Sequence, residues 1–436
     1  MSGNERRQLD RAIETFRQGR VKEAQMQCEA LLQRTSSSSA LRAETLYLCA
    51  AIASTRKRPA ELERCLRDSL ALEPTYAPAL YELASYLYSV GRGQEALAPL
   101  EILLDGAEHS SPAWTLRGAV LLQLQQRKEA LDCFDRALVL DSNNAAAHIN
   151  RGAVLNQTNR YAASKDAYDR ALELAPDNIE ALNGRGVTMM ALGNAEASLR
   201  DFERALSLAP EHALSHVNAS FTYLLSGNFL TAWPHYEWRT SKTLAEQALR
   251  LAQPQWLGQP VAGKHLLLHP EQGLGDTLHF CRYASLLAER GARVTVVVQP
   301  PLKALLESLD GVDTVLSTND VLPESDYQCT YMSLPHGFST TLESLPVAPS
   351  YLSASLEKRR LWRKRLAGDG LTKRSKPRIG IVWSGSSIHK NDHNRSVALT
   401  DLLFCLGSEA DGDADDYDHH GHFPCDELCG EFGDCL

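Results

Sequence analysis

The chain repeats itself every 34 residues, and nothing else in it limits the fold as tightly. Segments beginning at Ala43, Ala77, Ser111, Ala145, Ile179 and Ala213 align without a gap. A small residue recurs at the eighth position of each (Ala50, Ala84, Gly118, Gly152, Gly186, Ser220), and another at the twentieth of most (Ala96, Ala130, Ser164, Ser198, Ala232). The twenty-fourth is large: Leu66, Leu100, Phe134, Tyr168, Phe202, Tyr236. Small residues let two antiparallel helices approach closely, and the large one fills the gap between hairpins. Pro74, Pro176 and Pro210 stand where a helix must stop. A period of this length predicts helical hairpins stacked into a solenoid. Residues 5–38 fit the same frame (Gly19, Ala24, Cys28), with a four-residue slip in the Ser36–Ser39 run.

The array is similar to the tetratricopeptide repeat (TPR), at seven units counting a divergent first and an altered last. The resemblance implies a concave face that binds a protein or peptide; an array that only dimerises or spaces another domain is the alternative. Asn150 and Asn218 share a position on the first helix of their units and could grip a peptide backbone, but Gly184 interrupts them, which favours the alternative of plain surface positions. The last unit changes character at Ala232-Trp-Pro-His-Tyr-Glu-Trp-Arg239. Pro234 should kink its second helix, with Trp233 and Trp238 wedging the array against the next domain.

Charge narrows the function classes. The net charge is −9, but residues 407–436 hold ten acidic residues and no Lys or Arg, so the rest is close to neutral at −9 + 10 = +1. Neither a nucleic-acid surface nor a strongly acidic body is indicated. The N-terminus is polar, and no apolar run approaches the roughly 18 residues of a membrane span. Seven of the ten cysteines are scattered singly, which suits a reducing cytoplasm.

The second half is organised around His265-Leu-Leu-Leu-His269-Pro-Glu-Gln-Gly-Leu-Gly-Asp-Thr277. It reads as a buried strand (Leu266–Leu268), a glycine loop (Gly273, Gly275) and a helix opening at Asp276 or Thr277. The glycines would let the backbone turn sharply and approach a ligand, and the helix would offer unpaired N–H groups. A dinucleotide fingerprint would need glycine at 278, where Leu278 stands, and an acid ending the next strand, where Gln299 stands. Gly-Lys-Ser/Thr is absent as well, so no nicotinamide cofactor or ATP hydrolysis is expected. Downstream we expect a helix to Arg290, strand Arg293–Gln299, helix Leu302–Leu309, and strands at Thr314–Leu316 and Tyr327–Ser333. A helix at Thr340–Leu345, a basic helix Leu356–Leu366 and a strand Arg378–Trp383 complete a parallel α/β pattern.

Trp-Leu-Gly258, Glu271-Gln-Gly-Leu-Gly-Asp-Thr277 with Arg282-Tyr283, and Trp383-Ser-Gly385 followed by His389 and Asn391-Asp-His-Asn-Arg-Ser396 carry a second resemblance. Together with the repeats they look like bacterial TPR glycosyltransferases, similar to O-GlcNAc transferases and lipopolysaccharide heptosyltransferases. The resemblance implies a glycosyltransferase-B arrangement, with a nucleotide-sugar donor as substrate and no cofactor. The fold expected is thus an α-solenoid followed by a Rossmann-like parallel-sheet domain, the N-terminal half of that arrangement. The boundaries are array 5–240, linker 241–262, acceptor-side domain 263–377, start of a donor domain 378–406 and acidic tail 407–436.

By this resemblance Asp276 is the general base on the acceptor hydroxyl, a role needing a carboxylate within hydrogen-bond reach; the structural alternative is an N-cap. His279, one turn on, could shuttle a proton or contact the acceptor, or simply pack. Glu271 and Gln272 line the loop, while Arg282 and Tyr283 are structural. His389, Lys390, Asn394, Arg395 and Ser396 would neutralise the diphosphate of the donor, or form a solvated basic loop. In the tail His419, His420, His422, Cys425, Cys429 and Cys435 lack a usual zinc spacing, so no metal site is expected; a shifted reading frame or aberrant end fits that composition better. The α/β pattern stops near Leu406, so the leading reading is a retired or truncated glycosyltransferase, with its activity as a lone chain left open for want of the donor half. The alternative is a non-catalytic scaffold whose repeats recruit a partner.

Overall fold

The computed structural model describes residues 2–33, 38–106, 108–241, 251–347 and 350–368. The chain divides into two compact units, 1–246 and 247–436.

The first unit is a run of helical hairpins: α1 (Ser2–Arg17) with α2 (Val21–Leu32), α3 (Ser39–Thr55) with α4 (Pro59–Leu72), and α5 (Ala77–Ser89) with α6 (Gly93–Gly106). Then come α7 (Ser111–Gln123) with α8 (Arg127–Leu140), α9 (Ala145–Gln157) with α10 (Tyr161–Leu174), α11 (Ile179–Ala191) with α12 (Ala195–Leu208), and α13 (Ala213–Leu225) with α14 (Phe229–Tyr236). From α5 onward each first helix begins where the sequence period places it. The turn inside each hairpin also repeats: Lys57, Gly91, Gln125, Asn159, Gly193 and Gly227 all have φ between 55° and 78°. Glycine adopts that left-handed conformation freely; the side chains at the other three positions carry a strain of roughly 1 kcal/mol each. Ser110, Asn144 and Asn178 cap α7, α9 and α11 by accepting from the N–H of Ala113, Ala147 and Ala181.

Packing explains the small–large alternation. A Cβ added to Gly118 would stand 2.5 Å from the Phe134 ring, and one on Gly186 2.6 Å from Phe202. In the unit between, Tyr168 stays 2.9 Å from such an atom on Gly152 but 2.3 Å from one on Gly184. The tyrosine leans toward the next hairpin, and that is why Gly184 breaks the Asn150–Asn218 series.

The second unit holds four parallel strands, β1 (His265–His269), β2 (Arg293–Val298), β3 (Thr314–Ser317) and β4 (Tyr327–Thr330), in the order β3-β2-β1-β4. Every residue of β1 is buried, as a strand covered on both faces requires. Several expected boundaries move. The helix expected to run unbroken to Arg290 is two, α15 (Leu274–Phe280) and α16 (Tyr283–Glu289). The helix expected over Leu302–Leu309 is a 3-10 turn at Pro300–Leu302 followed by α17 (Lys303–Leu306). β4 stops at Thr330 and gives way to a 3-10 turn and α18 (Leu334–Gly337), while Thr340–Leu345 forms turns instead of a helix. The basic helix is α19 (Leu356–Gly368).

The stretch expected as linker also contributes to this sheet. Gln255 bridges in parallel to Gln328, and Trp256 N–H donates to Gln328 O at 2.8 Å. Trp256 is wholly buried among Leu266, Leu268 and Val296, and its Nε1–H donates to Gln259 O at 2.8 Å. Gly337 lies flat on that indole, where a Cβ would come within 2.3 Å. The expected strand Arg378–Trp383, the donor segment 378–406 and the tail 407–436 lie outside the described residues.

Candidate functional site

The glycine loop sits beyond the carboxyl end of β1, where open parallel sheets hold ligands. α15 opens at Leu274, two residues before the expected start, with Gly273 as its N-cap. The Gly273 N–H donates to Asp276 Oδ2 at 3.0 Å. Asp276 is therefore the third residue of the helix and closes half of a capping box instead of being the N-cap itself. Its Oδ1 makes no hydrogen bond among the described residues, and the residue is half-buried.

The two glycines do not bend the chain. Gly273 has φ −69°, and Gly275 is not among the positive-φ glycines. A Cβ on Gly275 would meet nothing within 4 Å. What glycine provides here is a bare helix start, with open space beside it.

His279 lies one turn beyond Asp276, exposed, with its ring edge-on to Phe280 at 4.7 Å. Partial desolvation of the ring, which the surface exposure limits, holds its pKa below the usual histidine value, the Arg282 charge adds to that, and Asp276 opposes it. Glu271 is half-buried and Gln272 exposed. Arg282 donates to His279 O, Pro346 O and Tyr351 Oη at 2.8, 3.1 and 2.9 Å, and Tyr283 Oη donates to Thr340 Oγ1 at 3.1 Å. The structure thus brings Glu271, Gln272, Gly273, Gly275, Asp276 and His279 into one loop-and-helix segment. His389, Lys390, Asn394, Arg395 and Ser396 lie outside the described residues.

Two residues of this region carry more than the sequence suggested. Gln299, which stands where a dinucleotide site would need an acid, ties the loop to its helix. Its Nε2–H donates to Gln272 O at 3.0 Å and its Oε1 accepts from Thr277 Oγ1 at 3.0 Å. His269 ends β1 at 2% exposure, with Nε2 2.7 Å from Gln328 Oε1. Its Nδ1 is buried with no partner among the described residues, a state that costs about 1–3 kcal/mol unless something donates to it. A histidine closing an apolar strand was the available signal.

The helical unit offers a different surface. A hollow of about 530 Å³ lies along first helices α5, α7 and α9, lined among others by Tyr81, Tyr88, Leu116, Ala119 and Asn150. Asp141 is the one formal charge among its lining residues. Asn144 is committed, donating to Ser111 Oγ and Thr115 Oγ1 at 2.8 and 2.9 Å. Asn150 makes no hydrogen bond among the described residues, whereas Asn218 donates to Asn183 Oδ1 at 3.1 Å. A hollow of about 550 Å³ between α6 and α8 mixes Glu101, Glu129 and Asp132 with Arg117 and Arg136, so it favours no single ligand charge.

Residues 111–144, 145–178 and 179–212 match tetratricopeptide repeat families. These three segments are tetratricopeptide repeats. No curated protein matches the chain. Among solved structures, it is similar to a tetratricopeptide repeat protein from Parabacteroides merdae (16% identity over 54% of this chain and 92% of that one, TM-score 0.46). It is also similar to pilF of Pseudomonas aeruginosa (18%, 48% and 94%, 0.43) and to YrrB, a TPR protein with an unusual peptide-binding site (21%, 43% and 95%, 0.36). The TPR segments span α7 to α12, and α5 with α6 and α13 with α14 continue their period. Among the described residues no helix is long and apolar enough to cross a membrane, and no cluster of His, Cys, Asp or Glu could hold a metal ion.

Proposed function

We propose that the chain is a protein-interaction scaffold whose TPR array holds an extended segment of a partner along α5, α7 and α9. The observation that carries this reading is Asn150, an amide with no internal partner among the described residues, set beside the exposed Tyr81 and the half-buried Tyr88. An amide can both donate to and accept from a peptide backbone, and this half-buried one is not committed to a bond inside the array. The test is a peptide array probed with the purified chain. Peptides it captures should lose tenfold or more in affinity with Asn150→Ala and with Tyr81→Ala; full affinity in both variants rejects the groove. The described cysteines are all free, which fits a reducing cytoplasm.

A second reading is favoured by the bare helix start at Gly275 and the unengaged Oδ1 of Asp276. In it, 263–377 is the acceptor side of a sugar-transfer enzyme. Asp276 takes the proton of the acceptor hydroxyl, with His279, Glu271 and Gln272 around it and His389, Asn394, Arg395 and Ser396 on the nucleotide sugar. Calorimetry with uridine, guanosine and cytidine diphosphate sugars decides it: no heat with any of them leaves the scaffold alone.

A further inference from the structure

We propose that His216 and His235 form a proton-sharing latch that closes the last hairpin of the array and opens when both rings are charged. The second helices α4, α6, α8, α10 and α12 each run for 14 residues, but α14 runs for 8 and passes at Glu237 into a 3-10 turn. Pro234 lies inside α14. Side chains must therefore fasten a segment that its own helix holds less well.

Two rings do so. His216 Nε2 stands 2.9 Å from Pro210 O. A carbonyl only accepts, so that nitrogen carries the hydrogen and the neutral ring presents Nδ1 as a bare acceptor. The earlier units place Trp114 and His148 the same way, on Glu108 O at 2.9 Å and Ser142 O at 3.0 Å. In the last unit a second ring faces the first. His216 Nδ1 and His235 Nδ1 are 2.8 Å apart, so His235 must donate from Nδ1–H. His235 occupies the place that Cys133 and Ala167 hold in earlier units. The Trp238 indole stacks on His216, with centroids at 4.3 Å and planes at 6°. Trp238, expected to wedge against the next domain, thus engages its own hairpin.

The protonation states follow from this geometry. One proton can enter at His235 Nε2 while its Nδ1–H still donates to His216. A second must enter at His216 Nδ1, which sets two N–H groups head to head at hydrogen-bond distance. The pair therefore accepts one proton and resists the next. The surrounding groups do not cancel this. From α12, Glu203 favours a charged His235, but its Oε1 already accepts from Tyr223 Oη at 3.1 Å. Tyr223 of α13 meets the His235 ring at 5.6 Å, His212 is bound to Ser215 Oγ at 2.8 Å, and Glu237 is paired with Arg239 at 2.9 Å. Burial and the neighbouring His216 lower the His235 pKa. A lowered base binds fewer protons folded than unfolded, so closure is fully present above the free histidine value near 6.5 and is lost as pH falls below it.

The experiment is hydrogen exchange of the full chain between pH 5 and 8, corrected for intrinsic rates. Opening of residues 229–241 should become up to about tenfold more favourable per pH unit below pH 6, while α7–α10 keep their protection. His235→Phe should remove that slope. A flat wild-type profile overturns the latch, and so does an undiminished slope in the variant. Ring-proton NMR of the wild-type chain keeps the question decidable if the variant misfolds: the His235 ring should titrate below the free histidine value, and a His235 step at or above it overturns the proposal.

Discussion

The two units of this chain are stabilised on different principles. In the helical unit the same contact recurs: a small residue meets a large one sixteen positions later, and a left-handed turn follows at a fixed interval. In the α/β unit each important contact occurs once. Trp256 and Gly337 meet across 81 residues of chain, and neither residue type repeats there in a way that announces the other. Repetition spreads stability over neighbours, whereas a single large side chain under a small sheet concentrates it. Substitutions should therefore damage the two units in different ways.

The largest expected effect is in the α/β unit. Trp256→Ala removes the largest wholly buried side chain among the described residues of the unit and should cost about 3–5 kcal/mol. In calorimetry the transition of the α/β unit should fall or vanish while that of the repeats stays in place. A single shared transition that moves as a whole would break the comparison. Gly186→Val is the counterpart in the array, placing its Cβ where the Phe202 ring stands, at about 1–3 kcal/mol. Its damage should be local in hydrogen exchange, strongest in α11 and α12, because a repeat contacts only its neighbours.

A finer test concerns the interrupted asparagine series. Gly184→Asn should cost about 1–2 kcal/mol against Tyr168, whose ring occupies that space. Adding Tyr168→Phe should recover more than half of it. Phenylalanines in the flanking units sit closer to the glycine of their own hairpin, and a phenylalanine at 168 can do the same. A thermal-melt double-mutant cycle without coupling would show that the tyrosine does not dictate the glycine.

This contrast also governs what was legible beforehand. Hairpin starts at Ala77, Ser111, Ala145, Ile179 and Ala213 could be read to the residue, since five copies of one pattern correct one another's noise. β1, β2 and β3 were legible from apolar runs. Thr340–Leu345 was not: its spacing looks helical, but Thr341 N–H donates to Ser344 Oγ at 2.8 Å and turns the chain instead. Trp256 falls in a stretch that reads as a linker, because nothing near it in sequence shows that Gln328 will pair with it. At the candidate sites the glycine loop was visible. The partnerless Nδ1 of His269, the bracing by Gln299 and the free amide of Asn150 depend on distant residues, and no local pattern encodes them.

The smallest expected effect bears on function. Asp276→Ala removes the acceptor of the Gly273 N–H and should destabilise α15 by about 0.5–2 kcal/mol. Taken alone, that loss cannot separate a cap from a general base, since both need the same carboxylate. Asp276→Asn does separate them. An amide oxygen can still accept from Gly273 N–H, so the melting temperature should stay within a degree or two of wild type. An amide cannot take a proton from an acceptor hydroxyl, so any transfer activity should fall by a factor of 100 or more. If wild type transfers sugar and the Asn variant does so equally well, Asp276 belongs to the helix start alone. Partner binding along α5, α7 and α9 should be the same in both proteins, because the array and the loop belong to separate compact units.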